Sequence, residues 1–174
     1  MKSKIILFAF LSIFLNFSFA QQWNGYTLIA VQNQTTAKLI DTSSNTYHTW
    51  SGLTGNTAYS SYLISGGYLI RTISVTNSFQ SGGITGGFQK VDWNGNVVWN
   101  VSYATSAYCM HHDICPMPNG DVLIIAYELK TAAEATTAGS NTSHIIWPDK
   151  IVQLHQTGLN TFSEVWVWHA WDHL

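Results

Sequence analysis

Histidines carry most of the chemistry this chain can offer. His111 and His112 stand side by side in "CMHHDIC", and His169 and His173 sit in "VWVWHAWDHL". Imidazole is a nucleophile and a proton carrier near neutral pH, so a cleft lined by these four rings could accept a transferable anionic group and pass it on. Zinc ligation is the other chemistry that H-x-x-x-H suggests, because on a helix that spacing brings two rings to one metal. On a strand the spacing fails. Four residues of rise separate the rings by about 13 Å, whereas Zn–N bonds are about 2 Å long. No Ser-His-Asp order, phosphate loop or dinucleotide fingerprint competes, and no cofactor is implied.

The elements around these residues read as strands. If Val165 to His173 is extended, Val167, His169, Trp171 and His173 share one face and Trp166, Trp168 and Asp172 the other. Adjacent His111 and His112 must diverge in a regular strand, so only one of them, His112 by preference, faces a common site. Cys109 and Cys115 could bridge if the chain turns between them. A straight strand forbids it, holding the Cα atoms about 20 Å apart.

A unit recurs along the chain: an apolar strand opening on Lys, a polar turn, and a second strand ending in Trp. "KLIDTSSNTYHTW" (38–50), "KVDWNGNVVW" (90–99) and "KIVQLHQTGLNTFSEVWVW" (150–168) share it. Between these lie the hairpins "SSYLISGGYLIR" and "HHDICPMPNGDVLIIA". Turns are expected at Gly66-Gly67, Asn94-Gly95 and Asn119-Gly120, where glycine or asparagine tolerates positive φ. Repeating four-stranded units are the layout of propeller blades. The polar stretch Thr131 to Ser143 lacks apolar periodicity and reads as a mobile insertion, and helix has little support anywhere. The fold class is therefore all-β, built of antiparallel four-stranded sheets as a partial β-propeller.

Composition agrees with an exported protein. Lys2 and Lys4 precede the apolar run "IILFAFLSIFL", and Ser18 and Ala20 supply the small residues of a cleavage site, so residues 1–20 read as a signal peptide and 21–174 as the propeller domain. An 11-residue run is too short to span a bilayer. Charged residues are only 9% of the chain, and with Lys2 and Lys4 removed five Lys/Arg face nine Asp/Glu, which leaves no basic footprint for nucleic acid.

The blocks "HHDICPMPNGDVLIIAYE", "IWPDKIVQL" and "VWVWHAWDHL" resemble the arylsulfotransferase family, the bacterial exported aryl-sulfate sulfotransferases, in the branch carrying HHD, PNG, WPDKI and W-x-W-H-x-W-D-H blocks. The similarity runs over roughly residues 25–174 and is strongest from His111. It implies a six-bladed β-propeller, of which this chain would supply about three blades, in the periplasm or secreted. It also implies transfer of a sulfuryl group from a phenolic sulfate donor to a phenol acceptor through a sulfurylated histidine. His111 and His112 would be among the groups of the central funnel, with His169 and His173 carried by their block. The family's later blocks, including its sulfurylated histidine, have no match here, so an N-terminal portion that is inactive alone is expected. The alternative is a non-enzymatic exported propeller whose aromatic residues bind carbohydrate, peptide or a partner chain.

Overall fold

The computed structural model describes residues 24–141 and 144–174. The expected signal peptide and its cleavage point lie outside the described residues. Three antiparallel sheets follow one another along the chain, none closed on itself. The first holds β1 (Thr27–Ala30), β2 (Ala37–Ile40) and β3 (Thr46–Trp50); the second holds β4 (Thr57–Ile64), β5 (Tyr68–Ser74), β6 (Gly86–Val91) and β7 (Val97–Ser102). The third holds β8 (Tyr108–Pro116), β9 (Val122–Glu128), β10 (Asp149–Gln156) and β11 (Phe162–His169). In every sheet the strands pair in chain order, so each is a meander of hairpins.

Local side-chain chemistry closes those hairpins. In the β2–β3 turn the Asp41 Oδ1 accepts the N–H groups of Ser43 and Asn45, while Asn45 Nδ2 donates to Oδ2. The β6–β7 turn repeats this, with Asp92 accepting from Asn94 and Asn96. Such side-chain mimicry of a turn is the reason Asp and Asn favour these positions. In β10–β11, Thr157 and Thr161 pair through both backbone and hydroxyls. These are the three Lys-to-Trp units of the sequence, and each shifts register before its turn, at the last pair in the first two and at Gln153/Leu154 in the third. Gly66, Gly67, Gly95 and Gly120 all take positive φ at the expected turns.

The second sheet is packed on both faces because alternate residues of its strands point opposite ways. Leu69 and Val91 join Leu39 and Trp50 of the first sheet in one core. Ile70, Phe88 and Trp99 join Met110, Ile124 and Leu154 in the other, against the third sheet. Truncating a fully buried residue such as Ile70 to Ala would cost about 2–5 kcal/mol. The sheets also meet at their first strands, with β4 packing against both β1 and β8.

Arg71 is a charged exception in this interior. It is fully buried, and its guanidinium donates to Thr57 Oγ1 (2.9 Å), the Thr54 and Gly55 carbonyls (2.7 and 3.0 Å) and Gln89 Oε1 (2.9 Å). Burial draws its pKa down to about 10.

Part of the polar insertion is helical, against the expectation that helix has little support. Ala132–Thr137 form a short helix α1, capped reciprocally by Thr131 and Glu134 and anchored by the buried Ala135. The capping box satisfies donors at the helix start, which is why a segment without apolar periodicity still takes up helix.

Candidate functional site

The HHD segment occupies a wide bulge. Strand β8 pairs with β9 through Met110↔Ala126 and then Ile114↔Ile124, so His111, His112 and Asp113 together face the single position Ile125. Two extra residues leave the side-chain alternation intact, and Met110 and Ile114 both stay in the core, 0% and 3% exposed. His112 absorbs the irregularity with φ of 51°, a left-handed conformation that costs a non-glycine residue about 1 kcal/mol or more. The bulge is braced by the segment joining β5 and β6: His112 N donates to the Gly83 carbonyl (2.7 Å), and Thr85 donates to the Met110 carbonyl through both its N–H and its hydroxyl.

This geometry corrects the expectation that the two histidines diverge. Freed from regular pleating, their rings turn toward each other, with Nδ1 to Nδ1 at 2.9 Å and the planes at 87°. His111 is 3% exposed and stacked on Tyr127 at 3.8 Å, while its Nε2 lies 3.1 Å from Asp149 Oδ1. Burial lowers the His111 pKa, Asp149 acting against it and His112 with it, so the neutral ring is favoured.

The protons can then be assigned. An ionised carboxylate only accepts, so His111 Nε2 carries the hydrogen toward Asp149. Neutral His111 must then accept at Nδ1, which makes His112 Nδ1 the donor. In its neutral form His112 then has its lone pair at Nε2, and the residue is exposed to solvent. Its ring lies directly over Gly83, where a Cβ would come within 1.9 Å of Cε1. Any larger residue there would have to displace the ring.

Tyrosines surround the pair. The Tyr62 hydroxyl donates to Asp113 (2.9 and 3.0 Å to the two oxygens), and burial first and Asp113 second push its pKa up. Tyr59 lies 5.6 Å from the His112 ring, and Tyr127 donates to the Gly82 carbonyl. The sequence pointed to His111 and His112 and missed Asp149, Tyr59, Tyr62 and Gly83. Asp149 alone had a signal, as the aspartate of the WPDKI block.

His169 and His173 do not join this group. Strand β11 ends at His169, and Ala170–His173 form a 3-10 turn, so the shared face expected of an extended segment is lost. His169 Nδ1 donates to Glu128 Oε2 (3.0 Å), whereas His173 stacks on Trp168 at 5.0 Å. The strand-based separation used against zinc no longer applies, but the two rings have separate partners. Among the described residues no three His, Cys, Asp or Glu side chains are placed to hold a metal. Cys109 and Cys115 are both free, one buried and one exposed, because β8 carries them apart on one strand.

Beside His169 a second polar cluster fills the core end of the third sheet. Glu128 Oε2 is 3.5 Å from Lys130 Nζ, and the Lys150 ammonium sits over the Tyr108 and Tyr103 rings at 4.3 and 5.1 Å. Burial lowers the Lys150 pKa. Compared with known proteins, the chain matches no family model and no curated sequence.

Proposed function

We propose that this chain contributes His112 and its supports to a sulfuryl-transfer site of the aryl-sulfate sulfotransferase kind, in an exported protein, on sheets that act as blades of a β-propeller. The observation that carries the reading is the hydrogen-bonded series Asp149–His111–His112, which leaves a lone pair at His112 Nε2. In the transfer, a phenolic sulfate loses its sulfuryl group to a histidine and the donor phenolate departs. An acceptor phenol then attacks sulfur, the S–N bond to that histidine breaks with its electron pair returning to the imidazole, and the His112 Nε2 takes the phenolic proton as the S–O bond forms. His111 and Asp149 hold the base in the right tautomer, and Tyr59 offers an aromatic face for an aryl ring. The chain-order meanders and the meeting of β1, β4 and β8 support the blade reading, since first strands line the axis of a propeller.

The test is transfer from 4-nitrophenyl sulfate to phenol by the full-length gene product. His112→Ala is expected to lower turnover by about 10²-fold or more, the scale of one lost proton-transfer group. His112→Asn, which can donate a hydrogen bond but not exchange a proton near pH 7, should be nearly as impaired. Unchanged release of 4-nitrophenol by both variants would overturn the proposal. It would favour the binding-module reading, which draws support from His111, whose two nitrogens are both engaged and whose ring is packed.

A further inference from the structure

A row of exposed aromatic rings lies where the first sheet meets the second, apart from the His111–His112 pair. Tyr26 and Tyr47 stand 4.2 Å apart at 31°, and Tyr47 meets Trp93 at 6.3 Å. These are among the most exposed large rings of the protein, at 54%, 58% and 37%. The back of Trp93 is fixed. Trp93 stacks on His48 at 3.8 Å and 18°, meets the buried Trp50 edge-on at 5.4 Å, and presses on Gly67. Trp50 in turn donates its indole N–H to the Asp92 carbonyl (2.9 Å), tying the Trp93 turn to strand β3.

Rings held rigidly from behind and open in front lose little entropy on binding, which suits recognition. Beside Tyr26 the row continues into a cavity of about 480 Å³, lined among others by Asn24, Thr27, Asp41 and Ser44. That volume is in the range of small-ligand sites. Asp41 is preset there. Three hydrogen bonds from Ser43 and Asn45 fix its carboxylate, with the Asn45 bonds chiefly holding its pKa below the usual carboxylate range. Of about four lone-pair directions on a carboxylate, these bonds from described residues take up three.

The lining chooses the chemistry of the ligand. Among the described residues no Lys, Arg or His lines the cavity and the one charged side chain is a carboxylate, so phosphate, sulfate and uronate groups would meet repulsion. Apolar C–H faces stack on aromatic rings, and hydroxyls fit Asp, Asn, Ser and Thr. One class of molecule offers both on the same ring. We propose that Tyr26, Tyr47 and Trp93, with the adjoining cavity at Asp41, bind a neutral oligosaccharide.

Affinity electrophoresis of the full chain tests this, in native gels cast with hydroxyethylcellulose, soluble starch, galactomannan or dextran sulfate. At least one neutral polymer should retard the wild type, and dextran sulfate should not. Tyr47→Ala and Tyr26→Ala, both at exposed positions, should weaken binding by about tenfold, the scale of one lost aromatic face. Trp93→Phe keeps a ring against His48 and should weaken it less. No retardation in any neutral gel, or equal retardation of wild type and both alanine variants, overturns the proposal. So does stronger retention by dextran sulfate, or preferential binding of a proline-rich peptide measured in parallel by fluorescence anisotropy.

Discussion

Strands β4 and β8 make the same departure from regular pairing and fill it differently. In β4 the pairs Thr57↔Ile73 and Ser61↔Arg71 set Ala58, Tyr59 and Ser60 opposite Thr72, just as β8 sets His111, His112 and Asp113 opposite Ile125. Tyr59 and His112 occupy the middle of their bulges and face each other across 5.6 Å. The β4 bulge is secured within its own sheet, because Thr72 Oγ1 accepts the N–H groups of both Tyr59 and Ser60 at 2.9 Å. Isoleucine at the matching place in β9 has no such oxygen. The β8 bulge therefore takes its support from Gly83 and Thr85, in the segment that joins β5 and β6 of the neighbouring sheet. A bulge stapled locally is a structural device; one braced from outside couples its contents to the arrangement of two sheets.

The comparison is broken most severely at His112. His112→Ala should cost about 10²-fold in transfer by the full-length gene product, about 2.7 kcal/mol of barrier, while the melting temperature barely moves because the ring is exposed. A large fall in melting temperature with normal turnover would make both bulges merely structural. Thr72→Val, nearly isosteric, strands two backbone donors in β4 and should destabilise by about 2 kcal/mol in urea unfolding. Ile125→Thr, which offers β8 the missing hydroxyl, should change stability by less than about 1 kcal/mol, since that bulge is already satisfied. Gly83→Ala forces a methyl into the His112 ring and fixes an unfavourable φ of 73°. It should cost about 1–2 kcal/mol and displace the ring, visible as an altered His112 imidazole shift by NMR.

The smallest effect is on pH dependence. Burial lowers the His111 pKa, so the unfolded chain binds a proton that the folded chain resists. The stabilisation from neutral His111 is complete above the ordinary histidine value and is lost as pH falls below it toward the folded value. Melting temperature should therefore decline from pH 7 to pH 5 more steeply in the wild type than in His111→Gln, and parallel curves would remove His111 from this role.

The hairpins were legible because each is written twice over, in Lys-to-Trp strand patterns and in Asp, Asn and Gly at the turns. The bulges were not, and the reason is parity. Met110 and Ile114 are four apart, Thr57 and Ser61 likewise, so two extra residues leave the alternation undisturbed and periodicity cannot see them. The C-terminal segment failed in the opposite way. Its apolar alternation continues through Trp171, yet the backbone leaves the strand after His169, since a pattern of residue types does not supply a pairing partner. Helix α1 had a legible signal, the Thr131–Glu134 capping box, hidden by its lack of an apolar stripe.

Arg71 gives the molecule a direction of failure in acid. Every acceptor of its guanidinium is neutral, a hydroxyl, an amide oxygen or a carbonyl, and at a pKa of about 10 it stays charged at any acidic pH. Protonating carboxylates leaves this joint untouched. The third sheet is tied instead by His111–Asp149, His155–Asp121 and His169–Glu128. Bonds from His155 and then Gln153 hold the Asp121 carboxyl low, so its contribution is present above the ordinary aspartate value and vanishes as pH falls through the folded one. An acidified chain would thus come apart from its C-terminal sheet inward, with the β4–β6 joint around Arg71 the last to yield.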